Sequence, residues 1–198
     1  MNAILRRVLA IAGGLLAGAA AAVGGFWLLT SPRMAEQAEF GPWRSTLAIG
    51  ESKQNPYTRA RVALYGIWGL PPREAIYFTA SEDEDGEPLR PECVYVIEGS
   101  HLPARWWSLT LYRGGFYIPN PANRYSWSQS DIAKDAEGGW RVMLRERGEA
   151  PNVLTMGGGA GRPLALLRLY QPDPAVVADR GRTPLPSIRR LGCEREAS

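Results

Sequence analysis

The sequence predicts a mainly β domain, a sandwich or barrel of short strands with one short helix, placed behind an N-terminal transmembrane helix. Three observations carry that expectation. Apolar and polar residues alternate in short stretches between Ile76 and Tyr170, with Gly- and Pro-bearing turns between them, the pattern of strands that bury one face. One stretch, Asn55 to Ile67, has apolar residues at helical spacing instead. Val8 to Thr30 contains no charge at all, which is long enough to cross the roughly 30 Å hydrocarbon layer as a helix.

Taken in order, Met1 to Arg7 carries Arg6 and Arg7 ahead of the apolar run, and Phe26 and Trp27 sit near its far end, a depth that favours aromatic side chains. A cleaved secretory signal with a cut among Ala17 to Ala22 competes with an uncleaved anchor. Gly24 to Leu29 continues the apolar run past the alanines, which favours the anchor. The bias of basic residues toward the N-terminal side places residues 1–7 in the cytoplasm and the rest outside. The expected organisation is therefore a cytoplasmic N-terminus at 1–7, an anchor spanning Val8 to Thr30, a linker at 31–54, a sandwich at 55–192 and a tail at 193–198. In this reading the chain is a single-pass inner-membrane protein with its C-terminal domain in the periplasm, and the lipid bilayer is its first partner.

A net charge of +3 with a pI near 9.0 points to nucleic acid only in a chain that meets it, so for an exported domain no nucleic-acid partner is expected. The late arginines Arg180, Arg182, Arg189, Arg190 and Arg195 read as a solvated basic stretch; anionic headgroups or acidic glycans are the alternative contact.

Gly41 to Gln54 reads as a linker or a first irregular strand, with Trp43 expected to dock on the body. Asn55 caps a helix, Pro56 suits its first turn, and Tyr57, Ala60, Leu64 and Ile67 form its stripe; Pro71-Pro72 lies beyond its end. Strands follow at Ile76 to Ala80 and Cys93 to Glu98. The central hairpin pairs Trp107 to Tyr112 with Phe116 to Ile118 through Gly114-Gly115. In its first strand Trp107, Leu109 and Leu111 face one way, and Ser108, Thr110 and Tyr112 the other. Trp140 to Arg145 and Leu164 to Tyr170 complete the set.

No motif supplies a recognised chemistry. The acidic run Glu82 to Asp85 lacks the ligand spacing and flanking helices of a calcium loop, and Gly157 to Gly161 lacks the Gly-Lys-Ser/Thr ending of a phosphate loop. Two cysteines and one histidine without clustered spacing argue against structural zinc. No cofactor is expected. Cys93 and Cys193 are an even count in an oxidising compartment, compatible with a bridge. The favoured reading is that they stay apart, with Cys93 a small buried hydrophobe in its strand.

Candidate ligand-binding residues are polar side chains set into apolar strands and turns: Tyr112, Arg124, Tyr125, Asn152, Arg168 and Tyr170. Arg168 stands out because an unpaired charge among Leu166, Leu167 and Leu169 is costly to bury. It either faces solvent, pairs within the fold, or binds a carboxylate or phosphate group. No catalytic residue is assigned. Two classes of function remain: a ligand- or protein-binding domain, and a carbohydrate-active enzyme in which tyrosine, His101 and arginine would abstract a proton from a uronic acid. Convergence of Tyr112 and Arg168 in one place is the condition for the second.

Trp106-Trp107-Ser108-Leu109-Thr110-Leu111-Tyr112, Gly115-Phe116-Tyr117-Ile118, Asn120-Pro121 and Arg124-Tyr125-Ser126 together resemble the signature of the bacterial family named domain of unknown function 1214. The likeness extends to Glu74 to Phe78, His101-Leu102-Pro103, Pro151-Asn152, Leu167 to Tyr170 and Pro184 to Arg189. The resemblance implies a jelly-roll-like antiparallel β-sandwich and no assigned activity. It also implies a partner, because longer relatives join this domain to a preceding domain of unknown function 1254. The stretch between the anchor and Ala60 is too short for that domain, so a separate chain is expected to carry it. After Asn152 this sequence departs from its relatives, with Val153 to Met156 and glycines in place of a tryptophan and a proline-containing run.

Overall fold

The computed structural model describes residues 2–30, 37–46, 59–60, 63, 69–148 and 150–193. The first element is a helix, α1 (Ala3–Thr30). Its segment Ala3–Leu28 is long and apolar enough to cross a membrane and buries nothing against the rest of the protein. Two sheets follow. One holds β1 (Gln37–Phe40), β2 (Trp43–Thr46), β3 (Ala75–Ala80), β5 (Ala104–Arg113), β6 (Phe116–Tyr117), β7 (Ser126–Ser128) and β10 (Pro163–Pro172). Its order is β1-β2-β3-β10-β5-β6, and β7 also pairs with β5. The other is ordered β11-β4-β8-β9, from β4 (Cys93–Gly99), β8 (Trp140–Arg145), β9 (Val153–Thr155) and β11 (Ser187–Cys193). A short helix, α2 (Pro174–Ala178), precedes β11. The protein is thus mainly β and sandwich-like, with every pairing antiparallel except β8 with β9.

The alternation seen in the sequence builds the core. Ile76, Phe78 and Ala80 of β3, Leu109 and Leu111 of β5, and Ala165, Leu167 and Leu169 of β10 are all 3% exposed or less. They meet Tyr95, Ile97, Val142 and Leu144 from the second sheet in one hydrophobic cluster. Trp107 from the first sheet stacks on Trp140 from the second at 4.7 Å between centroids. In β10 the opposite residues, Leu164, Leu166, Arg168 and Tyr170, are half-buried on the outer face.

Several expectations change. The stretch expected as a linker, 31–54, contributes the β1-β2 hairpin to the first sheet, turned by Gly41 at φ 60°. Trp43 anchors it, buried completely with its indole N–H donating to the Pro186 carbonyl at 2.7 Å. The helix expected from Asn55 to Ile67 lies mostly outside the described residues, of which Arg59, Ala60 and Ala63 are helical. Cys93 and Cys193 do not stay apart: they form a disulfide, because the antiparallel register of β4 and β11 sets them opposite one another. Cys193 therefore closes the sandwich rather than opening a tail. Of the late arginines Arg182, Arg189 and Arg190 are exposed, as a solvated stretch would be, but Arg180 is not, and Arg189 and Arg190 face carboxylates. Arg180 is buried and donates to Ser45 Oγ and the Thr46 carbonyl at 3.2 and 2.7 Å, Arg189 pairs with Glu98, and Arg190 Nε lies 3.8 Å from Asp83.

Candidate functional site

The outer face of the first sheet carries the site. Residues Arg168 and Ser108 are register partners across β10 and β5, with Tyr77 of β3 opposite Arg168 on the other side. Period-two alternation sends Tyr77, Ser108, Thr110, Tyr112, Arg168 and Tyr170 to the same face, away from the core residues between them. The Arg168 side chain runs along the face toward the end of β5. Its Nη1 donates to Thr110 Oγ1 at 3.0 Å and its Nη2 to the Tyr112 hydroxyl at 2.6 Å, with the guanidinium carbon 5.6 Å from the Tyr112 ring centroid.

Two of the five guanidinium donors are therefore used. Among the described residues no carboxylate pairs with Arg168, and none of its nitrogens is buried without a partner. The remaining N–H groups have no partner among the described residues. The residues that β3, β5 and β10 turn to this face include no aspartate or glutamate, so the positive charge is uncompensated.

Aromatic rings surround it. Tyr112 stacks on Tyr117 at 5.0 Å, Tyr117 meets Tyr125 at 5.3 Å, and Trp106 meets Tyr170 at 5.3 Å. Ser130 Oγ accepts the Trp106 indole N–H at 2.9 Å and fixes that ring. The phenol of Tyr117 is held above the usual tyrosine range, first by its hydrogen bond with Tyr112 and the nearness of that group, then by burial. The phenol of Tyr77 is raised by burial and by Tyr170, with Arg168 pulling the other way. Both keep their protons at neutral pH, so the face offers neutral hydroxyls around one fixed cation.

Of the six residues expected from sequence, Tyr112, Tyr125, Arg168 and Tyr170 meet here, and Arg124 and Asn152 do not. Arg124 bonds Asp131 at 2.6 Å and lies over the Trp127 ring at 4.3 Å. Burial alone would raise the Asp131 carboxyl, but hydrogen bonds from the Ser128 side chain and backbone and from Arg124 outweigh it and lower it. Asn152, at φ 55°, uses its whole amide as a clamp, accepting from the Ala133 N–H and donating to the Ala133 carbonyl at 2.9 and 2.8 Å. His101 is exposed and makes no bond to this face among the described residues. Sequence reasoning missed Tyr77, Trp106 and Tyr117. Tyr77 carried the signal used for Arg168, a polar group between buried Ile76 and Phe78.

Two concavities lie elsewhere. One, of about 540 Å³, runs between Pro88, Arg90, Glu92, Glu146 and Arg162; the other, of about 440 Å³, lies beside Cys93 and Arg145. Arg113 closes the edge of the first by donating to the carbonyls of Met156, Gly157 and Gly158. Each mixes basic with acidic side chains, so neither presents the unopposed charge found on the outer sheet face. Among the described residues no cluster of three or more metal-ligating side chains occurs.

The family model described as protein of unknown function (DUF1214) matches residues 74–174, from the start of β3 to the start of α2. Among solved structures, the VPA0106 protein from Vibrio parahaemolyticus is 25% identical with a TM-score of 0.57, covering 70% of this chain and 36% of that one. An uncharacterised protein from Burkholderia cenocepacia is 13% identical with a TM-score of 0.39, covering 86% of this chain and 39% of that one. The chain spans little more than a third of the length of either. Comparison with curated proteins gave no match.

Proposed function

The chain belongs to the family of proteins of unknown function DUF1214, and on that premise we propose that it is a membrane-anchored cell-envelope domain whose outer sheet face binds a carboxylate-bearing ligand. One observation carries the reading: Arg168 is oriented by Thr110 and Tyr112, keeps free donors and has no carboxylate partner among the described residues. A planar guanidinium with unused N–H groups suits a carboxylate in geometry and charge.

The location proposed is the bacterial inner membrane, with α1 as an uncleaved single-pass anchor and the sandwich in the periplasm. Arg6 and Arg7 ahead of the apolar run support that orientation. The Cys93–Cys193 disulfide supports an oxidising compartment for the domain. A separate chain carrying a domain of unknown function 1254 is proposed as partner; the native mass of the protein extracted from its own membranes tests this, and a bare monomer would contradict it.

The binding reading is tested by titrating galacturonate into the full chain in detergent micelles. Arg168→Gln removes the charged donors and is expected to weaken binding by roughly ten- to a hundredfold, while Arg124→Gln changes it little. Equal affinity in wild type and Arg168→Gln would contradict the assignment.

A second reading, β-elimination on a uronate, has in its favour the contact of Tyr112 with Arg168. A base would take the proton beside the carboxylate, a C=C bond would form, the glycosidic C–O bond would break, and the departing oxygen would take a proton from a tyrosine hydroxyl or water. The raised phenols of Tyr77 and Tyr117 make these two poor bases at neutral pH, and binding is the preferred reading. Release of an unsaturated product by wild type, lost in Tyr112→Phe, would reverse that preference.

A further inference from the structure

The outer face is longer than a single carboxylate requires. At one end Trp106 and Tyr170 form an aromatic pair across β5 and β10. At the other, Tyr112, Tyr117 and Tyr125 run toward the β6 edge. From Trp106 to Tyr112 the strand advances six residues, about 20 Å at roughly 3.4 Å each. Arg168 projects between the two ends, its guanidinium at Thr110 and Tyr112.

The chemistry of this track is specific. Trp106 is 36% and Tyr117 54% exposed, so rings are presented to solvent and not consumed in the core. Between them Ser126 of β7 is half-buried, while Thr110, its partner in β5, is buried and receives a hydrogen bond from Arg168. Partly exposed rings beside hydroxyl groups suit sugars, which have apolar C–H faces and polar rims. A peptide adding itself as a strand would pair at the β6 edge and would not lie over Arg168, whose strand β10 is flanked by β3 and β5.

We infer that this face binds an extended polyuronate, an acidic saccharide chain of several residues. One carboxylate seats on Arg168 and sugar rings stack on the aromatic groups at both ends. The inference rests on the reading of Arg168 given above and adds the chain length and the saccharide class.

Calorimetry on the full chain in detergent micelles tests it, with galacturonic acid as monomer, dimer, tetramer and hexamer. Methyl-esterified hexamer removes the charge, and hexaglutamate supplies the charge without sugar. Affinity is expected to rise roughly tenfold or more from dimer to hexamer as the second aromatic end is reached, and to fall at least tenfold on esterification. Trp106→Ala should bring the hexamer down to the dimer's affinity without changing the dimer, and Trp106→Phe, which keeps a ring, should retain most of the gain.

A hexamer that binds no more tightly than the monomer, both lost in Arg168→Gln, overturns the chain-length inference and leaves Arg168 as a site for a small carboxylate. Hexaglutamate binding as tightly as hexagalacturonate overturns the saccharide class. Failure of every carboxylate to bind overturns both this inference and the reading beneath it.

Discussion

Arg168 is held by two neutral hydroxyls on a half-buried face, where a guanidinium withdrawn from water ordinarily meets an anion. Its charge also reaches the surrounding phenols, lowering Tyr77 and Tyr117 while burial and neighbouring tyrosines raise them. Arg168→Gln should therefore move both phenols further up, and a spectrophotometric titration of the folded protein should show two tyrosines shifting above their wild-type positions; an unchanged profile would contradict that coupling. Because their folded pKa values lie above the unfolded ones, the stability these two groups contribute is present below the ordinary tyrosine range near 10 and is lost as pH rises through it. The sequence made Arg168 and Tyr112 legible because a polar side chain inside an alternating apolar strand has to be accounted for. It misdirected attention to Arg124 and Asn152, since turn residues bearing polar groups look alike whether they bind a ligand or tie one loop to another. Only the through-space bonds to Asp131 and Ala133 separate the two cases.

Strand elements were readable where alternation was strong. β3, β4, β5, β8 and β10 follow from it directly, and the Gly114-Gly115 turn follows from φ values of 58° and 85° that favour glycine. β1 was not readable and β2 only as one alternative to a linker, because the place of Gln37 to Thr46 in the sheet depends on Trp43 finding a carbonyl near the other end of the chain. The disulfide was hidden for the same reason: its cysteines are 100 residues apart in sequence, and only the β4-β11 register brings them together. Packing is tight within the second sheet where Gly99 of β4 faces Trp140 of β8. A Cβ on Gly99 would sit 2.4 Å from the Trp140 ring, and that ring is fixed by stacking on Trp107 and by its N–H bond to the Ser100 carbonyl at 2.7 Å. Gly99→Ala should destabilise the fold by about 1–3 kcal/mol, read as a lower urea midpoint with unchanged slope; a midpoint equal to wild type would show that the tryptophan pair yields without cost.

At the scale of the whole molecule, one apolar helix precedes a two-sheet sandwich whose outer face combines an unopposed cation with exposed rings. The sequence announced the helix by its lack of charge and the sandwich by its strand pattern. The shared face was beyond it, since Tyr77, Arg168 and Tyr117 become neighbours only through the order β3-β10-β5-β6. The concavity bounded by Arg90 and Arg162 has none of these residues in its lining and is the alternative place for an anion. The most direct test is to follow arginine side-chain N–H signals by NMR in the full chain in micelles while galacturonate is added. The account predicts that the Arg168 signal moves with saturation and that Arg90, Arg113 and Arg162 stay in place. Movement of Arg90 or Arg162 with Arg168 unchanged would contradict it and move the binding site to that concavity.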